Sequence, residues 1–248
     1  MAEIERDDLG GGVTVLSLNR TPVNALSPGF LDEFGAMLDR LEADESVRAV
    51  VLASRCKVFS AGLDLKAAQH FGQDEQNDIV RALNDDFLKL FAFPKPVISA
   101  VNGAAIAGGL FFVLGSDYRL SAPGAQLGLA EVRVGVDFPV GPMEIARATL
   151  GPDTLRRLML TGQPITSEIA LQAGVVDDIV PVDDLLGAAC AKAAEMAQIP
   201  PKSYALVKAQ IRSETIGRIA IAVSQGANAP EGGWFSDETI PAMQRMIG

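Results

Sequence analysis

Glu131 is the residue of this chain best placed to move protons, because small and apolar residues surround it in the sequence. It lies in the segment LGLAEVRVG, residues 127–135. Burial among such neighbours disfavours the charged form of a carboxyl group, which raises its pKa and makes it a better base near neutral pH. Arg133 leaves an alternative open, since residues two apart on a strand share a face and an ion pair would lower the basicity of Glu131. Asp137 is a second acidic residue nearby, which we interpret as a loop residue.

Two glycine-containing turns could hold a developing negative charge. One is VFSAGLDL, residues 58–65, and the other is VNGAAIAGG, residues 101–109. Glycine permits close approach to a ligand, and N–H groups in a turn or at the start of a helix can face an anion. Taken separately, the first is an ordinary strand–helix turn with Asp64 as the N-cap, and the second allows a helix to pack tightly on a strand. The two turns together are more specific than either alone.

The three segments together resemble the crotonase superfamily of acyl-CoA enzymes, also called the enoyl-CoA hydratase/isomerase family. The resemblance implies that the N–H groups of Ala61 and Gly108 bind the thioester oxygen and that Glu131 transfers protons. Two-glutamate hydratases of the family carry a second carboxylate at the position that is Phe111 here. The chain is therefore predicted to be a one-base isomerase that converts 3-enoyl-CoA to 2-trans-enoyl-CoA in fatty acid degradation.

The resemblance is strongest to the Δ3,Δ2-enoyl-CoA isomerase branch, and it implies a set of binding residues. These are Pro22 and Val23 for CoA, and Ser60, Gly62, Leu63, Asp64, Phe111 and Ala130 for the substrate. CoA is part of the substrate, so we expect neither a separate cofactor nor a metal. Arg20 and Lys66 are candidates for the CoA phosphates.

Two other functions stay open at this stage. One is a different crotonase reaction, such as hydration with a single glutamate or a decarboxylation. The other is a non-catalytic acyl-CoA-binding protein, which an ion pair between Glu131 and Arg133 would favour.

The composition limits the classes of partner and site. A net charge of −10 without a basic block makes nucleic acid a poor partner. The single histidine, His70, argues against a histidine metal site or a Ser-His-Asp triad. Cys56 and Cys190 fit a reducing compartment as small buried side chains. No targeting segment and no apolar run of about 18 residues is present, so we expect a cytoplasmic protein without a membrane span.

The order of predicted elements indicates an α/β fold, which the resemblance specifies as a crotonase-like spiral of ββα units. Apolar runs predict strands at residues 13–18, 47–53, 96–101, 117–121 and 175–181. Helical spacing predicts helices from Ser27-Pro28, over most of 64–93 with a break at Gly72, after Gly108-Gly109, and at 150–162 and 166–173.

Only helices are predicted after the last strand, at residues 184–198, 202–225 and 236–246. We therefore divide the chain into a spiral core, residues 1–182, and a helical C-terminal region, residues 183–248. The helices of this region have apolar faces, which include Ile211 and Trp234, and these faces must be buried somewhere. The resemblance implies that the region forms a homotrimer or a hexamer of two trimers.

Overall fold

Strands and helices alternate along the chain in the computed structural model, which describes residues 2–247. The strands are β1 (Ile4–Gly10), β2 (Val13–Leu18), β3 (Ala49–Ser54), β4 (Val97–Val101), β5 (Ala105–Ile106), β6 (Tyr118–Ser121), β7 (Gln126–Gly128), β8 (Ile165–Thr166) and β9 (Asp178–Ile179). The helices are α1 (Pro28–Ala43), α2 (Leu65–Ala68), α3 (Gln73–Ala92), α4 (Gly108–Leu114), α5 (Val140–Thr149), α6 (Pro152–Thr161), α7 (Ser167–Gln172), α8 (Val182–Met196), α9 (Pro201–Ser224) and α10 (Thr239–Ile247). A short 3-10 helix covers Glu131–Val134.

Six strands form the larger sheet in the order β1-β2-β3-β4-β6-β9. The pairing is parallel except between β1 and β2. Alternate residues of β2 and β3 point to opposite faces, and both faces are covered: α8 packs on one, while α1 and α3 pack on the other. Strands buried on both faces read as continuous apolar runs, which is why the sequence predicts them well.

A smaller sheet, in the order β5-β7-β8, lies where α4 begins. Every residue of α4 is buried, and Phe112 is the centre of its packing. The Phe112 ring contacts Phe34 of α1 and Phe87 of α3 edge-on, with centroids 4.9 Å and 5.1 Å apart. These aromatic contacts fix α4 against α1 and α3, and they therefore also fix Gly108 and Gly109 at the start of α4.

Besides the 3-10 helix and the short strands β5, β7 and β8, two longer elements were not predicted from the sequence. Strand β1 is an edge strand whose side chains are mostly exposed and charged, so it shows no apolar alternation. Helix α5 follows Pro139 and contains Gly141 and Pro142, residues that read as a turn. The predicted strand at 175–181 is also wrong in length, because only Asp178–Ile179 pairs with β6.

The C-terminal helices fold back onto the strands and helices that precede them. Helix α9 packs on α3 and α5, and α10 contacts α2 and the 3-10 helix. A buried carboxylate, Asp117, holds α9 through Lys208 at 2.6 Å and Arg212 at 2.8 Å. Within residues 2–247, no helix is both long enough and apolar enough to cross a membrane.

Candidate active site

In the turn after β3, the predicted N–H donor is engaged and a neighbouring backbone N–H group is free. The N–H of Ala61 donates to the carbonyl of Val23 at 3.0 Å, so the prediction that Ala61 supplies an oxyanion donor is wrong. On either side of Leu63, the N–H of Asp64 donates to the carbonyl of Leu26 at 3.0 Å, and the carbonyl of Gly62 accepts from the N–H of Leu26 at 2.8 Å. Within residues 2–247, the N–H of Leu63 itself has no hydrogen-bond acceptor. Leu63, predicted only as a substrate contact, therefore offers the free N–H group that was predicted at Ala61.

Gly108 supplies a second free N–H at the start of α4. It has no acceptor in the described part of the chain, as is usual for the first N–H groups of a helix. The preceding residue, Ala107, has a positive φ of 51°, a strained conformation for a residue with a side chain. The two turns are in contact, because a Cβ atom on Gly62 would lie 2.6 Å from the carbonyl oxygen of Ile106 and 3.4 Å from the nitrogen of Gly108. Leu63 and Gly108, one from each turn, line the same cavity.

The pairing of β5 with β7 brings Glu131 to the same place. The N–H of Ala107 donates to the carbonyl of Gly128 at 2.8 Å, and the chain then enters the 3-10 helix at Glu131. The hydroxyl of Thr239 in α10 donates to the carbonyl of Gly135 at 2.6 Å and holds the far end of this helix. The carboxylate is thus carried by a short rigid element that is fixed at both ends.

Glu131 is buried, with 7% of its surface exposed. Its Oε2 atom has no hydrogen-bond partner among the residues that the structure describes. Loss of hydration disfavours the charged carboxylate and raises the pKa of Glu131 to about 8. A carboxyl group with this pKa exchanges protons readily near neutral pH.

Arg133 does not pair with Glu131. The alternative of an ion pair on a shared strand face is excluded, because the backbone is a 3-10 helix here and the Nε of Arg133 donates to the carbonyl of Thr161 at 3.0 Å. Asp137, interpreted as a loop residue, accepts a hydrogen bond from the indole Nε1 of Trp234 at 2.9 Å. Neither residue gives Glu131 a charged partner.

Glu131 and Gly108 line an apolar cavity. Phe111, predicted to face Glu131 across this space, also lines it and is fully buried between Phe87 and Phe138, at centroid distances of 5.6 Å and 6.5 Å. Of the described residues that line the cavity, only Glu131 is ionisable. The other lining residues are Leu26, Ala61, Leu63, Leu65, Leu83, Ile106, Ala107, Ala130, Val134, Val136, Pro139, Pro142, Trp234 and Met246.

A wider cleft adjoins the cavity, and the two share Ala61, Leu63, Leu65 and Met246 as walls. Pro22, Val23 and Asp64 line the cleft, together with both candidate phosphate-binding residues, Arg20 and Lys66.

The two candidate phosphate-binding residues differ in whether other side chains already bind their charge. Arg20 is held by Glu3 at 3.1 Å and Asp64 at 3.5 Å, whereas Lys66 is exposed and forms no ion pair within the described range. Asp64 also caps α2 by accepting from the N–H of Ala67 at 3.2 Å, as the sequence predicts.

Two residues predicted as substrate contacts have a role inside the turn. Ser60 is fully buried and lines neither the cavity nor the cleft. Its hydroxyl donates to the carbonyl of Asn24 at 2.8 Å and accepts from the N–H of Gly62 at 3.2 Å. The hydroxyl of Ser60 is therefore engaged within the turn, and Gly62 gives the turn a positive φ of 79°. That these two residues contact the substrate stays a prediction.

Sequence reasoning did not identify Trp234 and Met246 as cavity residues. Both come from the C-terminal region, and their apolar side chains predicted only a buried helix face. No local signal in the sequence shows that this region folds back over the cavity.

Neither His70 nor the two cysteines takes part in a site. His70 is exposed, and the thiol of Cys56 donates to the side-chain oxygen of Asn24 at 3.4 Å. Both thiols are free. No group of three or more His, Cys, Asp or Glu side chains within residues 2–247 is arranged to hold a metal ion.

Known proteins share both the sequence pattern and this architecture. A family model described as "Enoyl-CoA hydratase/isomerase" matches residues 8–227. The human protein "Enoyl-CoA delta isomerase 1, mitochondrial" is 35% identical over 215 residues, which are 86% of this chain and 71% of the relative.

Two solved structures extend the likeness to the fold. Human mitochondrial delta3-delta2-enoyl-CoA isomerase superposes with a TM-score of 0.90 and 30% identity, over 99% of this chain and 97% of that one. An enoyl-CoA hydratase from Mycobacterium marinum superposes with a TM-score of 0.84 and 26% identity, over 92% of this chain and 99% of that one. Proteins named for either reaction therefore share the architecture.

Proposed function

This chain belongs to the enoyl-CoA hydratase/isomerase family, and from that membership we propose that it isomerises 3-enoyl-CoA to 2-trans-enoyl-CoA in fatty acid degradation. The predicted crotonase-like α/β fold is confirmed by the structural neighbours. The choice of isomerisation rests on one observation: within residues 2–247, Glu131 is the only ionisable residue that lines the apolar cavity. By the family resemblance, Phe111 stands where the hydratases with two glutamates carry their second carboxylate.

The proposed reaction needs one base and two N–H donors. The thioester oxygen accepts hydrogen bonds from Leu63 and Gly108, and Glu131 removes a proton from carbon 2 of the acyl group. The electron pair of that C–H bond delocalises through the double bond and the carbonyl group to give a dienolate, which the two N–H groups stabilise. The protonated Glu131 then gives the proton to carbon 4, so that the double bond lies between carbons 2 and 3. The carboxylate is regenerated and no other reactant is consumed.

The surroundings of Glu131 support this use of a single carboxyl group. The apolar walls keep its pKa near 8, so both the base and the acid forms are accessible close to neutral pH. Hydration would instead require a second polar group to position and polarise water. The fully buried ring of Phe111 offers no hydrogen-bonding atom for that role.

We further propose that the adjoining cleft holds the CoA part of the substrate, with no separate cofactor. The backbone around Pro22 and Val23 lies in this cleft beside the cavity, as an acyl thioester reaching Glu131 would require. Exposed Lys66 is the free cation for a phosphate group, because Arg20 already has two carboxylate partners. The two free thiols fit a reducing compartment, and on that ground we retain the cytoplasm as the proposed location.

The proposal is tested with a substrate panel. The wild type is assayed for isomerisation of 3-enoyl-CoA esters and for addition of water to 2-enoyl-CoA esters, with Glu131→Gln as the matched control. We expect isomerisation to dominate and Glu131→Gln to lose about 10²–10⁴-fold of it, the usual contribution of general acid–base catalysis. Efficient hydration with little isomerisation would assign the chain to the hydratases. Tight ester binding without turnover would instead support a non-catalytic acyl-CoA-binding protein.

A further inference from the structure

One wall of the apolar cavity comes from the segment between α9 and α10. Trp234 lies in this segment, residues 225–238, and its side chain lines the cavity but not the adjoining cleft. The indole is partly exposed, so it separates the apolar interior from solvent. Met246, from α10, belongs instead to the shared wall where the cavity meets the cleft. The acyl group would therefore enter past Met246 and meet Trp234 further inside.

Trp234 is held in place by polar contacts on both its side chain and its backbone. The indole Nε1 donates to Asp137 at 2.9 Å. The side-chain oxygen of Gln76 in α3 accepts from the N–H groups of Trp234 and Phe235, at 2.9 Å and 3.0 Å. The Phe235 ring packs on the indole at a centroid distance of 5.7 Å. A bulky side chain with this many restraints forms a fixed wall rather than a mobile one.

We propose that Trp234 closes the acyl end of the cavity and limits the length of the acyl chain that the enzyme accepts. This inference rests on the proposed function, because it names the substrate class of the same site. Each methylene buried in an apolar cavity strengthens binding about fourfold. That gain ends when the chain reaches the indole, so affinity rises with chain length and then falls. Asp137 and Gln76 act as positioning residues for Trp234.

The single tryptophan of the chain makes the contact measurable. Intrinsic fluorescence then reports on Trp234 alone. Free CoA, butanoyl-CoA and octanoyl-CoA are added to the wild-type protein, and these saturated esters bind without turnover. We expect octanoyl-CoA to change the emission strongly, butanoyl-CoA to change it weakly and free CoA to leave it unchanged. An equal response to all three would remove Trp234 from the acyl end of the cavity.

Substitution then tests whether the wall sets the chain length. Affinities for butanoyl-, octanoyl- and dodecanoyl-CoA are measured by calorimetry for the wild type, Trp234→Ala and Trp234→Phe. We expect Trp234→Ala to raise the ratio of dodecanoyl to octanoyl affinity by about tenfold or more, which corresponds to about two buried methylenes. Trp234→Phe keeps a ring at this position and should retain a profile close to that of the wild type. A uniform loss of affinity at all lengths in Trp234→Ala would overturn the proposal.

Substitutions of Asp137, which accepts the indole N–H hydrogen bond, give a second set of variants that leaves Trp234 itself unchanged. Asp137→Ala removes the acceptor of the indole N–H, while Asp137→Asn keeps a side-chain oxygen there. We expect Asp137→Ala to move the chain-length profile in the direction of Trp234→Ala and Asp137→Asn to restore it. Two profiles identical to that of the wild type would show that Asp137 does not position the wall. These are binding measurements, so they distinguish a wrong chain-length inference from a wrong assignment of the isomerase reaction.

Discussion

At the scale of single residues, the chemistry depends on where the backbone leaves groups without partners. The sequence identifies Glu131, because an acidic residue among small apolar ones is unusual, and it identifies Gly108 at the start of a helix. It places the other donor at Ala61, and this is wrong because hydrogen bonding within a turn is not visible in residue types. Only the structure shows that Val23 accepts the N–H of Ala61 while the N–H of Leu63 stays free.

Glu131 makes stability depend on pH. Its pKa is about 8 in the folded chain against an ordinary value of 4.5. As pH rises between these two values, the unfolded chain releases the proton while the folded chain keeps it, so the free energy of unfolding falls. Above the folded pKa the penalty is constant. Glu131→Gln carries no such penalty, so its stability relative to the wild type should increase with pH.

Urea unfolding of both proteins at about pH 5 and about pH 8.5 measures this effect. We expect the difference in unfolding free energy to grow by on the order of 3 kcal/mol in favour of Glu131→Gln between the two conditions. A difference that does not change with pH would mean that Glu131 is ionised in the folded protein.

Phe111 provides the test of isomerase against hydratase at the residue scale. Phe111→Glu restores the second acidic side chain of the hydratases, and we expect it to gain measurable addition of water to a short 2-enoyl-CoA while losing isomerisation. The gain should be small, because a transplanted group lacks the neighbours that fix its geometry. The variant should also be less stable, since a carboxyl group replaces a fully buried ring.

The control for this change is Phe111→Leu, which keeps the position apolar. It should retain isomerisation and gain no hydration. Efficient hydration by the wild type itself would contradict the role given to Phe111.

At the scale of elements, the site is positioned by strands and helices so short that no sequence pattern predicts them. Strands β5 and β8 have two residues each, and Glu131 stands on a short 3-10 helix in a stretch for which no element was predicted. Long elements such as α1 and α3 were predicted because apolar residues recur at helical spacing over many turns. Two-residue strands exist because their tertiary neighbours pair with them, and no local pattern reveals such pairing.

Because the two glycine turns are in contact, alanine should reduce activity more at Gly62 than at a glycine that has open space around it. Gly62 and Gly10 both have positive φ, 79° and 82°, so alanine is strained at either position. A Cβ atom at Gly62 would also lie 2.6 Å from the carbonyl oxygen of Ile106, whereas at Gly10 it would meet nothing within 4 Å. We therefore expect Gly62→Ala to lose at least about tenfold in isomerisation, since a misplacement of reacting groups by about 1 Å can cost on the order of 10²-fold.

Gly10→Ala is the matched control, and it should lose only a little thermal stability and no activity. Steady-state kinetics and thermal unfolding of the two variants make the comparison. Equal activities would show that the spacing of the two turns is not essential for the reaction.

At the scale of the whole molecule, the C-terminal region completes the cavity of its own chain and leaves an apolar surface uncovered. Trp234 and Met246 line the cavity. On α9, Leu206, Val207 and Ile211 are 67%, 53% and 77% exposed. The sequence predicts that this region needs apolar burial, but it does not show that one face turns inward while another stays open.

We expect the open face of α9 to be buried between subunits in a homotrimer, or in a hexamer of two trimers, as the family resemblance implies. Exposed apolar side chains that lie together on one helix are typical of such interfaces. Light scattering at micromolar concentration should then give three or six times the chain mass of 26.1 kDa. Ile211→Lys should lower that mass by placing a charge in the interface, while Leu9→Lys, at an exposed apolar residue of β1, should not. Because Trp234 and Met246 come from the same chain as Glu131, subunits separated by Ile211→Lys should keep their affinity for octanoyl-CoA. A wild-type mass of one chain would contradict the assembly and leave the active site as described.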